Sequence, residues 1–132
     1  DAVIFLTAEY NHSIPGVLKN AIDNVFVSFA FRNKPAAFVG YSGGIAAGVR
    51  AVEHLAQVTI EAEMVPLRNS ILIPQVHNAF DADGQPTNEV AERSIAVTLD
   101  DLAWWGRLLA NARAAGQLAP AQAREIATAK AS

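Results

Sequence analysis

The chain opens with five consecutive apolar residues, Ala2-Val3-Ile4-Phe5-Leu6, which pass directly into a polar segment, Thr7-Ala8-Glu9-Tyr10-Asn11-His12-Ser13. An apolar run without alternation predicts a strand that is buried on both faces, as in parallel sheets covered by helices. The polar segment is therefore predicted to be a loop at the carboxyl end of a strand. Open α/β sheets bind their ligands at such loops.

Strand-like and helix-like segments alternate along the rest of the chain. In order, the pattern predicts a helix from Pro15 to about Phe29, a strand over 36–39, a helix from Ile45 to Thr59, an extended segment over 64–73, a polar loop over 74–87, a helix over 88–114 and a short helix or tail over 120–132. Ser13 is a candidate N-cap for the first helix. The order β-α-β-α-β-loop-α predicts an α/β fold with a parallel sheet.

The predicted sheet has only three strands, whereas doubly wound sheets of this kind usually have about five. The chain also begins with Asp1 rather than Met, directly before the first strand. We therefore expect roughly two further strands upstream of Asp1.

The composition is that of one folded domain and argues against several classes of function. The chain has 132 residues, of which 52% are hydrophobic and 17% charged, so it can bury a core. A net charge of -3 and ten scattered Lys and Arg residues argue against nucleic-acid binding. No apolar stretch reaches the roughly 18 residues that a membrane span needs. We therefore expect a soluble, cytoplasmic protein that binds neither nucleic acid nor membrane.

The residues that usually hold metals are sparse. There is no Cys, which excludes disulfides, thiolate metal sites and a cysteine nucleophile. The three histidines, His12, His54 and His77, share no ligand spacing. No metal site is predicted.

A second loop, Tyr41-Ser42-Gly43-Gly44, follows the second predicted strand. Right-handed crossovers place both strand-to-helix loops at the same edge of the sheet. The two glycines would let the backbone approach a flat ligand closely. Together the loops favour a planar heterocycle edged by hydrogen-bond donors and acceptors.

The first loop and the helix after it resemble the signature of a known family. The matching residues are Thr7-Ala8-Glu9-Tyr10-Asn11 and then Ser13-Ile14-Pro15-Gly16-x-Leu18-Lys19-Asn20-Ala21-Ile22-Asp23. This pattern resembles the NADPH-dependent FMN reductases, which are flavodoxin-like flavoproteins, and the resemblance runs from about Asp1 to Leu109. It implies a doubly wound parallel sheet of which this chain holds the last three strands. Residues 1–115 would form the C-terminal part of that domain, and residues 116–132 a C-terminal tail or short helix.

The resemblance also implies roles for individual residues. The loop of Thr7, Ala8, Glu9, Tyr10 and Asn11 would line the isoalloxazine ring of FMN, largely through backbone groups. A second group would contact the pyrimidine side of the ring, namely Ser42, Gly43 and Gly44. Hydride would arrive from NADPH or NADH and electrons would leave to a small-molecule acceptor such as free flavin, a quinone or an azo compound. No catalytic side chain is implied, because the flavin carries the redox chemistry. Members of the family form homodimers or homotetramers with the flavin near a subunit boundary.

Two departures from the family pattern stand out. The family usually has Pro at the position of Ala8. Alanine keeps the small size but leaves the backbone φ angle less restricted, so we expect only a modest effect. The family's phosphate-binding turn, which contains Ser and Arg and follows the first strand, has no counterpart after Asp1. We therefore expect this chain alone to bind FMN poorly, because one end of the cofactor lacks an anion site.

Two other interpretations come from different functional classes. The chain could be a fold remnant or an oligomerising module without flavin activity. Alternatively, Gly40-Tyr41-Ser42-Gly43-Gly44 fits the G-x-S-x-G nucleophile elbow of serine hydrolases, with Ser42 as the nucleophile. That interpretation needs a downstream acid followed by a histidine, and the residues that could serve are Glu53, Glu61, Glu63 and His77.

Overall fold

The computed structural model describes residues 1–87, 89–117 and 119–131. Its strands and helices, in chain order, are β1 (Val3–Ala8), α1 (Gly16–Phe26), β2 (Pro35–Tyr41), α2 (Val49–Glu61), β3 (Val65–Ile73), a 3-10 turn (Val76–Asn78), α3 (Glu89–Ala114) and α4 (Pro120–Ala131). The predicted start of the long helix at Asn88 lies outside the described residues, as does Ser132. The predicted order of strands and helices is confirmed.

The three strands form one parallel sheet in the order β1-β2-β3. Phe5 pairs with Phe38 and Ala8 with Tyr41, so β1 and β2 end side by side. The pairing of β2 with β3 shifts register between Ala36 and Phe38. Because parallel strands need crossover connections, each strand end leads into a loop at the same edge of the sheet.

Helices pack on both faces of the sheet. On one face, Phe5 and Phe38 pack with Ile22 of α1 and Leu55 of α2. On the other face, Leu102 of α3 packs with residues of the sheet that include Ala37 and Leu67. Successive residues of β2 therefore serve opposite cores, as the two-residue period of a strand requires.

The prediction that β1 is buried on both faces is wrong for one face. Ile4 is 48% exposed and Leu6 is 66% exposed, whereas Phe5 between them is buried. The cause is the position of α3, which packs mainly on β3 and β2. Within the described residues β1 pairs only with β2, so it is an edge strand.

One predicted helix cap and two predicted helix boundaries are also wrong. Ser13 does not cap α1, since Pro15 occupies the N-cap position and the Ser13 hydroxyl pairs with His54 instead. This helix ends at Phe26, and Phe29 lies beyond it with a left-handed φ of 53°. The second helix begins at Val49 rather than Ile45, because turns occupy the segment between Gly43 and Gly48.

The two adjacent tryptophans of the long helix α3 have different surroundings. Trp105 packs against the core that contains Leu102, whereas Trp104 is 55% exposed and meets Trp105 edge-on at 5.0 Å between ring centroids. On the same helix Leu99 is 44% exposed, whereas its neighbour Thr98 is buried. None of the described helices is long and apolar enough to cross a bilayer.

Candidate functional site

The first and second predicted loops meet at the carboxyl ends of β1 and β2. The amide of Glu9 donates to the carbonyl oxygen of Tyr41 at 3.0 Å, which continues the β1–β2 ladder into both loops. The amide of Ser42 in turn donates to the carbonyl of Ile73 at 3.2 Å, at the end of β3. The structure therefore brings residues 7–11 beside residues 42–44, as the sheet topology predicts.

A tight turn fixes the tip of the first loop. Tyr10 and Ser13 exchange two backbone hydrogen bonds of 2.9 and 3.1 Å, and the residues between them, Asn11 and His12, have φ angles of 49° and 71°. Two central residues with positive φ are the mark of a type I′ turn, in which Asn is favoured. Among the described residues, neither the Asn11 nor the His12 amide donates to a backbone or side-chain acceptor. Both exposed donors are therefore available to a ligand.

Thr7 and Ala8 are buried beneath this turn. The Thr7 hydroxyl donates to the carbonyl of Ala8 at 3.0 Å, and its side chain is almost fully enclosed. Tyr10, by contrast, is 62% exposed. It borders a depression of about 360 Å³ whose walls are largely apolar. The lining residues are Leu6, Thr7, Ala8, Tyr10, Pro15, Val17, Leu18 and Tyr41.

The side chain of Glu9 turns into the protein and not towards solvent. It is only 4% exposed, and its carboxylate forms an ion pair with the Arg50 guanidinium and accepts a hydrogen bond from the Arg50 amide at 3.3 Å. Burial raises the pKa of the Glu9 carboxyl, but the hydrogen bonds and the positive charge of Arg50 outweigh that effect. The pKa of Glu9 is therefore lowered overall, which favours the ionised carboxylate.

The polar groups of the second loop form hydrogen bonds within the protein, whereas no protein atoms pack beside its two glycines. The Ser42 hydroxyl donates to the Gly44 carbonyl at 3.0 Å, and the Gly44 carbonyl also accepts from the amide of Gln75 at 3.1 Å. A Cβ atom added at Gly43 or Gly44 would meet no protein atom within 4 Å. Since intrachain packing does not require these two glycines, the space beside them is free for a ligand.

The described residues do not assemble a serine hydrolase site around Ser42. No histidine among the described residues hydrogen-bonds to the Ser42 hydroxyl, which is already engaged with Gly44. The helix begins at Val49, seven residues after Ser42, whereas a nucleophile elbow leads directly into its helix. The G-x-S-x-G pattern is therefore a loop sequence here and not a nucleophile elbow.

Two residues of α2 reach the first loop and were not identified from the sequence. Arg50 contacts Glu9 and donates from Nη1 to His12 Nδ1 at 3.0 Å. His54, one helical turn later, lies 2.9 Å from the Ser13 hydroxyl through Nδ1. The sequence gives only a weak indication of these contacts, namely that Arg50 and His54 are four residues apart and so share one face of the helix.

The two loops offer groups that suit the edge of a planar heterocycle better than an anion. They offer free amides at Asn11 and His12, open glycines and the exposed aromatic face of Tyr10. Apart from His12, neither loop carries a basic side chain that could neutralise a phosphate. In the part of the chain that the structure describes, no cluster of His, Asp and Glu could hold a metal ion.

Comparison with known proteins points to one family. The family model described as NADPH-dependent FMN reductase matches residues 1–78. The chain is 40% identical over 112 residues to an NAD(P)H-dependent FMN reductase of Pseudomonas aeruginosa, covering 83% of this chain and 60% of that protein. It is 31% identical over 111 residues to a 2-hydroxy-1,4-benzoquinone reductase of Burkholderia sp., covering 81% and 61%. The chain thus spans about 60% of the length of these relatives.

A solved structure supports the same fold. The flavoenzyme FerB of Paracoccus denitrificans, an NAD(P)H:(acceptor) oxidoreductase, superposes with a TM-score of 0.68 at 30% sequence identity. The superposition covers 80% of this chain and 60% of FerB. The expected flavodoxin-like α/β fold is thereby confirmed.

Proposed function

Because the chain belongs to the NADPH-dependent FMN reductase family, we propose that it carries the flavin-ring site of an NAD(P)H-dependent FMN oxidoreductase. The observation that carries this proposal is the junction of the two loops. There, the Glu9 amide bonds to Tyr41, and the tight turn after it presents free amides beside two unobstructed glycines. These are the features that let a backbone bind the edge of a planar heterocycle.

The residues proposed to bind FMN are Thr7, Ala8, Glu9, Tyr10, Asn11, Ser42, Gly43 and Gly44. When bound, FMN supplies the redox chemistry, accepting hydride from NADPH or NADH and passing electrons to an acceptor. The protein's part is to bind and orient the ring. The amides of the 10–13 turn are fixed by its two hydrogen bonds, and Tyr10 supplies apolar area that excludes water from the ring.

We propose a quinone as the first acceptor to test. Proteins similar to this chain include the 2-hydroxy-1,4-benzoquinone reductase and a quinone reductase of Escherichia coli that is 34% identical over 105 residues. A quinone that took a hydride from the reduced flavin would need one further proton to become the hydroquinone, and solvent at the exposed site can supply it without an acid from the protein. No side chain is proposed as catalytic.

The phosphate of FMN is proposed to be held outside the two loops. The loops themselves contain no Lys or Arg, and the charge of Arg50 beside the first loop is already paired with Glu9. A homodimer or homotetramer, as the family resemblance implies, would place groups of a second subunit near the site.

A cytoplasmic location of the protein stays a prediction.

Flavin titration tests the proposed site. FMN and riboflavin are each added to the protein while quenching of flavin fluorescence is followed. We expect weak but saturable quenching, which Gly44→Val weakens further because its branched side chain enters the open space beside the loop. The control is Ala96→Val on the exposed side of α3. If neither flavin is quenched by the wild-type protein, the flavin-free remnant becomes the better interpretation.

A further inference from the structure

The loop proposed to bind the flavin ring is attached to α2 at both of its ends. At its start, the Glu9 carboxylate bonds to the guanidinium and the amide of Arg50. At its end, the Ser13 hydroxyl lies 2.9 Å from His54 Nδ1. Arg50 and His54 are four residues apart, so both contacts lie on one face of the helix. We call the contacts of Arg50 and His54 with the loop the α2 clamp.

The clamp also completes the N-terminus of α2. Gly48 occupies the N-cap position and has no side chain with which to cap the first turn. The buried Glu9 carboxylate accepts the Arg50 amide in its place, although Glu9 is 41 residues earlier in the chain. An anion at a helix N-terminus is further stabilised by the helix dipole. The loop and the helix therefore depend on each other for their geometry.

The turn held by the clamp has two consecutive non-glycine residues in the left-handed region. Asn11 and His12 have φ angles of 49° and 71°, a conformation that few residues other than Gly adopt, although Asn, Asp and His adopt it more often than the rest. The Arg50 guanidinium donates to His12 Nδ1 at 3.0 Å, and arginine can only donate, so the imidazole accepts. Arg50 thus contacts the loop at two places, before the turn at Glu9 and at the tip of the turn at His12.

We propose that Arg50 is a positioning residue for flavin binding: through Glu9 and His12 it holds the 9–13 loop in the conformation that presents its amides to the ring. His54 has the same role at the other end of the loop, through Ser13. The proposal rests on the flavin-ring site proposed above. It does not require Arg50 to touch the flavin.

Hydrogen exchange on the flavin-free protein tests the clamp by itself. The amides of Glu9, Tyr10 and Ser13 are all hydrogen-bonded within the loop or to β2. In Arg50→Ala we expect their exchange to be about tenfold faster than in the wild type, since a charge-assisted contact is lost. The matched control is Arg32→Ala, which removes another partly buried arginine that is paired with Glu63. Arg32 and Glu63 come just before β2 and β3, whereas both loops follow the other ends of their strands. Unchanged exchange in Arg50→Ala would overturn the clamp.

Flavin affinity then tests what the clamp is for. We expect Arg50→Ala to raise the riboflavin dissociation constant about tenfold, Arg32→Ala to leave it unchanged, and Arg50→Lys to recover part of the loss. Glu9→Gln combined with Arg50→Ala should cost little more than either change alone, because both remove one interaction. Faster exchange without weaker flavin binding would refute the positioning role. A wild-type protein that binds no flavin would refute the proposed function, while the exchange data would still decide whether the clamp exists.

Discussion

A Cβ atom placed on Gly48 would lie 2.5 Å from the backbone nitrogen of Tyr41. Gly48 has a φ of 81° and is the N-cap residue directly before α2. Tyr41 is the last residue of β2, at the entrance to the second loop. The close approach of these two backbones sets where α2 begins relative to the strand end. It is a packing requirement that Gly43 and Gly44 do not share.

We therefore expect Gly48→Ala to lower the free energy of unfolding by about 2–4 kcal/mol, from left-handed strain and overpacking together. Urea denaturation followed by circular dichroism measures the change. Gly43→Ala is the control, since its Cβ would meet open space, and it should shift stability by less than about 1 kcal/mol. Equal losses in the two variants would contradict this account of Gly48.

A second prediction concerns two buried threonines. The Thr98 hydroxyl on α3 is enclosed and has no hydrogen-bond partner among the described residues. Thr98→Val keeps the shape and removes this unsatisfied group, so we expect stability to rise by about 1–2 kcal/mol. Thr59, equally buried, donates to the Ala56 carbonyl at 2.8 Å. Thr59→Val should therefore show no such gain, and a similar increase in both variants would show that the hydroxyl contact is irrelevant.

The third prediction follows from the lowered pKa of Glu9. A carboxyl whose pKa is lower in the folded than in the unfolded protein stabilises the fold above its ordinary pKa of about 4.3, and this stabilisation is lost as the pH falls through the folded value. Between about pH 5 and pH 3, the wild type should therefore lose more stability than Glu9→Gln does. The control is Glu53→Gln, on the exposed side of α2. Parallel pH profiles for the wild type and Glu9→Gln would exclude an ion-paired Glu9.

The sequence sufficed to predict the two loops and their meeting place. Apolar runs followed by polar residues marked the ends of both strands. A parallel sheet places such ends side by side whatever their side chains, and the structure indeed pairs Ala8 with Tyr41. The α2 clamp could not be predicted in this way. Glu9 and Arg50 are 41 residues apart, and a helical pattern tells only which face is polar, not which loop it meets.

The local errors had the same origin in tertiary contacts. Ser13 fits the preference for a helix cap, but His54 takes its hydroxyl. Ile45 continues the apolar spacing of the second helix, yet Gly48 with its positive φ sets the helix start at Val49. Local propensity was overruled in both places by a contact with another part of the fold.

The last prediction concerns the polypeptide of residues 1–132 by itself, in which Leu6 on the outer strand β1 is 66% exposed. An exposed apolar side chain beside an unpaired strand edge promotes pairing between chains. We expect Leu6→Lys to weaken concentration-dependent self-association, measured by sedimentation velocity, since a charge at a sheet edge disfavours strand pairing. Ile60→Lys is the control, because Ile60 is similarly exposed but lies on α2 away from the edge. If self-association persists unchanged in Leu6→Lys and is lost in Ile60→Lys, the contact runs through α2 and not through the β1 edge.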